Sequence, residues 1–486
     1  MADERSPEAV RELLDKADAL RLRLGPTVHD RVTASAYAEA QRTAAAAVVH
    51  DDKRRFAWEE TLDRVITSRW AGLPFMLLLL GVVFWLTIAG SNVPSAFLAG
   101  LLMEEGGLSA WLGTYLGVEN TPGFLSVSVY EMLLAAFAWA PAWLTGFFID
   151  GVYLGLAWVV SVMLPPMAIF FPLFTLMEDL GLLPRIAFNM DRFFRAAGAH
   201  GKQALTMAMG FGCNAAGVVA CRIIDSPRER LIAILTNNFV PCNGRWPTLI
   251  MVSSLFVAAA VPAGFASIVA VGAIVGVTLI GIGMTLAVSA VLSRTLLKGV
   301  ASSFQLELPS YRRPQVGRVI YRSIIDRTLF VLWRAIICAA PAGGIIWLLG
   351  AISVGDVSLF AWLRGVLDPV GHTIGLDGVI LIAYIAAIPA NEIVVPTIIM
   401  GYMNSARMLE LDNPAQLFIA NGWTLTTAVC LLLFCLLHYP CATTTLTIYK
   451  ETGSVKWTAL SNIIPLGVAV VTCFIVAQAM RAMGFG

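Results

Sequence analysis

The chain has 486 residues, of which 58% are hydrophobic and only 13% charged, whereas about a quarter of the residues of a soluble domain are charged. A net charge of +1 gives no sign of nucleic-acid binding, and the long apolar runs do not alternate as the strands of a transmembrane β-barrel do. The composition therefore points to an all-α, polytopic transmembrane helical protein surrounded by membrane lipid.

Residues 1–69 hold 25 of the 65 charged residues and read as a cytoplasmic helical N-terminal segment. Ser6-Pro7 suits a helix start, and Leu13, Ala17, Leu20 and Leu24 share helical spacing. The start Met1-Ala2-Asp3-Glu4-Arg5 lacks the pattern of a secretory leader, so no cleaved leader is expected. Residues 32–49 are alanine-rich and helical in character. Trp58 to Arg69, with Leu62, Val65 and Ile66 on one stripe, read as an amphipathic approach to the membrane.

From Trp70 to Pro184 there is no Lys or Arg and only seven carboxylates. Apolar segments are predicted near Trp70–Gly90, Val129–Phe148, Gly151–Met177, Leu231–Val261, Ser267–Leu292, Leu329–Ile352, Val379–Met403, Phe418–Tyr439 and Leu460–Met480. With Thr206–Cys221 as an embedded element, about ten membrane segments result. Residues 95–118 read as re-entrant or interfacial. The expected division is a first membrane half over 70–298, a basic cytoplasmic loop over 299–328 and a second membrane half over 329–486. Basic clusters at Arg185–Lys202 and Arg222–Arg230 flank the Cys213 element. If both are cytoplasmic, by the positive-inside rule, that element dips into the membrane and returns.

Helix-breaking and polar residues inside apolar stretches mark broken helices that line a polar path. Such breaks occur at Gly210-Phe211-Gly212-Cys213-Asn214, at Pro241-Cys242-Asn243-Gly244-Arg245, at Pro389-Ala390-Asn391-Glu392 and at Tyr439-Pro440-Cys441-Ala442-Thr443. The first pairs with the third and the second with the fourth, which predicts two gate-type pseudo-repeats containing broken or re-entrant helices. The expected path residues are Cys213, Asn214, Cys242, Asn243, Asn391, Glu392, Cys441 and Thr443.

Cys213, Cys242, Cys441 and Glu392 are the expected metal contacts, because thiolate and carboxylate serve a borderline divalent cation. A thiol near its ordinary pKa of about 8.5 must lose a proton to bind metal well, so passage is expected to respond to pH and to thiol reagents. A buried free cysteine is also commonly a small packing hydrophobe. That reading is taken for Cys221, Cys338, Cys430, Cys435 and Cys473, all read as reduced. His438 reads first as a packing residue, and Arg245 either orients carbonyls or anchors at the interface. Glu178, Asp179 and Asp191 read as cation-gathering or as helix-terminal charges. No HExxH, GxSxG or CxxC supports a membrane-embedded enzyme.

The gate stretches, together with Leu176-Met177-Glu178-Asp179, Met190-Asp191-Arg192, Leu308-Pro309 with Tyr311-Arg312, and Lys450-Glu451-Thr452-Gly453 with Lys456-Trp457, resemble in order and content the FeoB family of bacterial ferrous iron transporters. The resemblance covers about residues 58–480. It implies an inner-membrane Fe²⁺ permease with the N-terminus cytoplasmic and Fe²⁺ as the transported substrate. Mn²⁺, another divalent ion, or an organic solute such as a nucleoside are the alternative cargoes. This chain has Ala215-Ala216 and Asn391-Glu392 where the family commonly has Val-Pro and Lys-Glu. The sequence contains no GxxxxGK[ST], and Gly198 to Lys202 has the wrong spacing, so no GTP site is expected here. By the resemblance, a separate G protein and a small FeoA-like accessory protein are the expected partners, with a homo-oligomer left open.

Overall fold

The computed structural model describes residues 16, 19, 28–47, 61–68, 71–118, 123, 125–257, 259, 261–262, 265–299, 315–355, 357–407, 411 and 414–484. The Leu13–Leu24 stripe, Trp58 and the Leu308-Pro309 and Tyr311-Arg312 motifs lie outside the described residues. The protein is an all-α, multi-pass membrane protein. Its only described strands are the two-residue pair β1 Ser353–Val354 and β2 Val357–Ser358.

Helix α1 spans Val28–Ala47, in line with the alanine-rich pattern. A short helix over 61–66 lays Ile66 into the protein. Helix α2, Gly72–Leu102, overruns the end expected at Gly90 and continues through Pro94. The apolar run stops only at Glu104-Glu105, so most of the segment expected to be interfacial is the end of α2 followed by the short α3, Ser109–Leu116. Helix α4, Val129–Ala136, starts in a capping box formed by Ser128 and Glu131. It is not a span of its own.

Helix α5, Ala142–Asp179, runs for 38 residues. It joins the end of the segment expected over Val129–Phe148 to the one that follows, because Gly146–Tyr153 is wound as a π-helix instead of breaking. Leu182–Ala196 forms α6. Two short helices follow, α7 Gln203–Gly212 and α8 Asn214–Ala220, then α9 Pro227–Thr236 and α10 Trp246–Val252. The long α11, Ala266–Arg294, closes the first half.

The second half comprises α12 Val316–Arg322, α13 Phe330–Ala351, α14 Leu359–Thr373, α15 Gly378–Ala386, α16 Val394–Met403 and α17 Ala415–Ala420. It ends with α18 Leu425–Leu437, α19 Ala442–Thr452 and α20 Val455–Ala482. Among the described residues, six helices are long and apolar enough to cross a membrane, or seven if α14 and α15, bent by 107°, count as one span. The expected ten membrane segments included elements of other kinds. The stretches expected at 231–261 and 379–403 are mainly apolar yet are interrupted by breaks into shorter helices, and hydropathy averages across the breaks. The α18–α19 crossing lies inside the protein, with 67% of its most apolar window buried, whereas α11 has 17% buried and presents its apolar side chains outward, as a lipid-facing helix does.

Helices α7 and α8 form a hairpin. Gly217 packs on the Thr206 carbonyl, and Lys202 Nζ reaches both the Ile223 carbonyl at 2.8 Å and Asp225 at 2.9 Å. Lys202 holds the Asp225 carboxyl below the usual carboxylate range. The two basic clusters therefore sit at one open end, with Cys213 at the tip. This is the re-entrant placement that the charge pattern suggests.

Helices α15 and α16 form the second hairpin. Gly401 packs against Val379, Tyr402 hydrogen-bonds Asp377, and the tip is Pro389–Asn391. The α18–α19 crossing begins beside the open end of the second hairpin, where Trp423 donates to Tyr402 at 2.6 Å. It finishes beside the open end of the first, where Glu451 meets Arg222 at 2.7 Å. The hairpins thus enter from opposite faces and meet tip to tip, an inverted arrangement.

The 61–66 helix is clasped by α6. Arg185, buried, donates to both Asp63 oxygens at 2.5 and 3.0 Å and to the Gly181 carbonyl at 2.6 Å, while Asn189 donates to the Ile66 carbonyl at 2.7 Å. Arg185→Ala strands Asp63 and is expected to destabilise the protein by about 2–3 kcal/mol, less than a fully buried pair because Asp63 is partly wet. A lower thermal midpoint of the purified protein in detergent checks this.

Candidate functional site

A helix that stops inside a membrane leaves carbonyl and amide groups without partners, and these must be satisfied from elsewhere. The chain has four such stops, and they converge. Cys213 is extended (φ −152°, ψ 121°) between α7 and α8, and Ala390 has the same conformation (φ −153°, ψ 121°) ahead of the 3₁₀ turn Asn391–Ile393 that opens α16. Cys242 (φ −86°, ψ 173°) and Cys441 (φ −63°, ψ 161°) are likewise extended, each just before a helical turn. The backbone thus repeats at the positions paired by sequence.

The four breaks are tied to one another. Within the first half, Asn237 Nδ2 donates to the Asn214 carbonyl at 3.0 Å; within the second, the Ala442 amide donates to the Ile388 carbonyl at 2.7 Å. Between halves the link is Arg245, which is fully buried. Its Nη1 donates to the carbonyls of Asn238 and Leu436 at 2.7 and 2.8 Å. Its Nη2 donates to Asn238 Oδ1 at 3.0 Å and to the carbonyls of His438 and Tyr439 at 3.2 and 3.4 Å. Asn238 Nδ2 adds a bond to the His438 carbonyl at 2.5 Å. A planar guanidinium with five donors suits such a cluster of acceptors; an ammonium does not.

Around this staple lies a cavity of about 30 Å³, on a scale where one water needs roughly 10–15 Å³. All eight residues singled out from the sequence line it: Cys213, Asn214, Cys242, Asn243, Asn391, Glu392, Cys441 and Thr443. Met163 and Met167 from α5 and Val331 and Ala335 from α13 complete the wall. Glu392 lies over Gly244, where a β-carbon would come within 2.3 Å of the carboxylate. That close approach explains the glycine. The Cys441 thiol stands 3.3 Å from the Thr444 hydroxyl. Among the described residues, no three His, Cys, Asp or Glu side chains gather closely enough to hold one ion in this conformation.

Behind the cavity, Asn237 and Asn238 were not picked out from the sequence, and His438 was read first as a packing residue. His438 has Nδ1 at 3.0 and 2.9 Å from the carbonyls of Phe434 and Cys435 and Nε2 at 3.3 Å from Asn391 Oδ1, so the ring stands between the α18 backbone and the Asn391 amide. Asn391 also reaches Cys242 Sγ at 3.9 Å and so bridges ring and thiol. His438 positions a cavity residue and is not itself in the lining. The orientations of Asn237, Asn238 and Asn214 follow from Arg245, because each amide nitrogen already donates within the network. The buried Oδ1 atoms of Asn214 and Asn237 are left with no donor among the described residues. A polar pair, Asn237-Asn238, inside an apolar run was the available signal.

Other candidates lie elsewhere. Asp191 pairs with Arg195 on α6, and Glu178 and Asp179 close the end of α5. Cys221, Cys430, Cys435 and Cys473 are buried in packing positions, and Cys338 is half-buried.

Comparison with known proteins places this arrangement. The gate family described as nucleoside recognition matches residues 160–256 and 332–455, and the family described as the C terminus of ferrous iron transport protein B matches residues 274–326. A protein of Staphylococcus aureus (strain MSSA476) named Fe(2+) transporter FeoB is 28% identical over 441 residues, which is 89% of this chain and 60% of that protein. Over most of its length the chain is thus similar to FeoB proteins. FeoB proteins of Campylobacter jejuni and of Synechocystis are 24% and 29% identical, over 85% and 76% of this chain and 64% and 58% of their own lengths. The chain thus spans about 60% of the length of these FeoB relatives. No solved structure matches it.

Arg245→Lys keeps the charge but loses the fork. It is expected to cost about 3 kcal/mol or more, the scale of disrupting a buried charged network, read as a lower thermal midpoint and less folded protein recovered from membranes.

Proposed function

We propose that the protein is the membrane permease of a ferrous iron transporter and that the cavity between the hairpin tips is its ion path. The observation that carries this reading is the cavity's lining. Three thiols, a carboxylate and amide oxygens meet in a space of ion size, far below the roughly 300–1,000 Å³ of sites for organic ligands. That size speaks against a nucleoside cargo, whatever the description of the matching gate family.

Fe²⁺ is borderline in softness, so sulfur binds it better than it binds Mg²⁺ or Ca²⁺. The thiols line the cavity without forming a closed cage, which suits passage, because an ion held by three or four ligands at once leaves slowly. Cys213, Cys242 and Cys441 supply successive sulfur contacts, Glu392 supplies charge, and Asn214, Asn243, Asn391 and Thr443 supply oxygen. The unpartnered Asn214 oxygen, in the lining, is placed to accept a hydrogen bond from water that the ion carries or sheds. Each thiol that binds the ion as thiolate must first release its proton.

The open end of the first hairpin carries the basic clusters and faces the cytoplasm by the positive-inside rule. The protein then belongs in the inner membrane with that hairpin entering from the cytoplasmic side. The GTPase partner implied by the resemblance is tested in the same assay as the substrate.

That assay is uptake of radiolabelled Fe²⁺, under reducing conditions, by cells lacking their own iron importers and expressing this chain with or without its candidate GTPase. Uptake is expected, and Cys441→Ser is expected to lower it by at least the roughly tenfold that even outer-shell partners of a metal can cost. Glu392→Gln is expected to reduce uptake while the protein stays folded. No Fe²⁺ uptake in any combination, with Mn²⁺ carried instead, moves the substrate and keeps the path; indifference to both substitutions removes the path.

A further inference from the structure

The motif Lys450-Glu451-Thr452-Gly453 has no part in the cavity, yet Glu451 makes one of the best-formed ion pairs in the protein. Its two oxygens accept from Arg222 Nε and Nη2, both at 2.7 Å. Arg222 lies just beyond α8 and Glu451 at the end of α19. Each helix begins at a cavity thiol, Cys213 and Cys441 respectively, and the two pack side by side. Both therefore run from the ion path to the same face, and the pair joins them where they arrive.

Between cavity and pair lies an apolar plug separate from the main core. Val218, Cys221 and Ile224 from the first hairpin and its exit, Ala233 and Ile234 from α9 and Ile448 from α19 are all buried together. These side chains are apolar and packed between α8, α9 and α19, so the contact of α8 with α19 closes this side of the path.

The opposite face is closed differently. There Tyr402 bonds Asp377, Trp423 donates to Tyr402 at 2.6 Å, and Phe418 stacks on Trp423 with ring centres 4.3 Å apart. That closure is largely buried. Arg222, by contrast, is 67% exposed and Glu451 11%, and a pair with one partner in water is weakened by water and salt. The two closures differ in the cost of opening, and the cheaper one is at the first hairpin.

We propose that the hairpin over residues 203–223 is the moving gate of the ion path and that Arg222 and Glu451 are its latch. The proposal rests on the cavity being the path but not on which ion uses it. In the closed state the pair holds α8 against α19 and the plug stays dry; parting the pair lets the hairpin swing from α19 and opens Cys213 and Cys441 to the face that carries the basic clusters. Lys202, tied to the Ile223 carbonyl and to Asp225, keeps the base of the hairpin together so that it moves as one piece.

The test uses the full chain in lipid nanodiscs, treated with a membrane-impermeant maleimide, with labelling of each cysteine followed by peptide-resolved mass spectrometry. Arg222→Glu and Glu451→Arg are each expected to speed labelling of Cys213 and Cys441 on the order of fivefold, the range of such pairs, and the double variant Arg222→Glu/Glu451→Arg to restore the slow rate. Cys430 and Cys473, buried against each other's backbone, report unfolding. If they also label faster, Arg222→Gln is the variant to read. Single variants that label at the native rate, or a double variant as fast as the singles, overturn the latch. Because no iron is involved, absence of Fe²⁺ transport overturns the substrate and leaves this result to be judged alone.

Discussion

The arrangement depends on a single buried cation. Interrupting four helices inside a membrane frees carbonyl groups that water does not reach, and Arg245 takes up those of the second and fourth breaks together. It can do so because its five donors lie in one plane and because its charge is spread among several acceptors. The same contacts join residues nearly two hundred positions apart. The inverted halves are thus fixed against each other at the level where the hairpin tips meet. Remove the guanidinium and the tips lose their reference to one another, and with it goes the spacing of Cys242 and Cys441, which flank it in the chain and in space.

From that constraint the chemistry of the cavity follows. Arg245 orients Asn238, Asn238 orients Asn214, and Asn237 is set by the Asn214 carbonyl; the Oδ1 atoms of Asn214, in the lining, and of Asn237, against Gly210 and Gly217, are left without donors among the described residues. His438, whose carbonyl is held by Arg245, holds Asn391 against Cys242. The lining is therefore preorganised by groups that do not themselves belong to it. Its members are mixed in softness and spread around the walls, and no three of the described His, Cys, Asp and Glu side chains converge on one point. The two faces differ, an ion pair with an exposed arginine on one and a buried aromatic cluster on the other, a difference that inverted symmetry alone does not supply.

Much of this was legible in the sequence because glycine, proline, cysteine and asparagine are out of place in lipid-crossing segments. The pairing of Gly212-Cys213-Asn214 with Pro389-Ala390-Asn391 is matched by nearly equal backbone angles at Cys213 and Ala390. The basic residues on either side of Cys213 disclosed a hairpin before its geometry was seen. The count of spans was not legible, since apolarity is the same for a half-helix and a whole one. Nor was the split of the expected Val129–Phe148 segment, whose end from Ala142 runs on into the following helix, because a π-helical stretch leaves no mark in hydropathy. Asn237, Asn238 and His438 act through contacts with distant parts of the chain, and Arg245 showed only that it stood near a break.

The most direct test of a thiol-lined ion path is the X-ray absorption spectrum at the iron edge of protein loaded anaerobically with Fe²⁺, compared with a variant in which Cys213, Cys242 and Cys441 are all serine. Sulfur in the first coordination shell of the native protein, replaced by oxygen and nitrogen alone in the variant, is the result predicted here. An oxygen and nitrogen shell identical in both proteins would contradict it, and the three cysteines would then be packing residues around a path that other groups define.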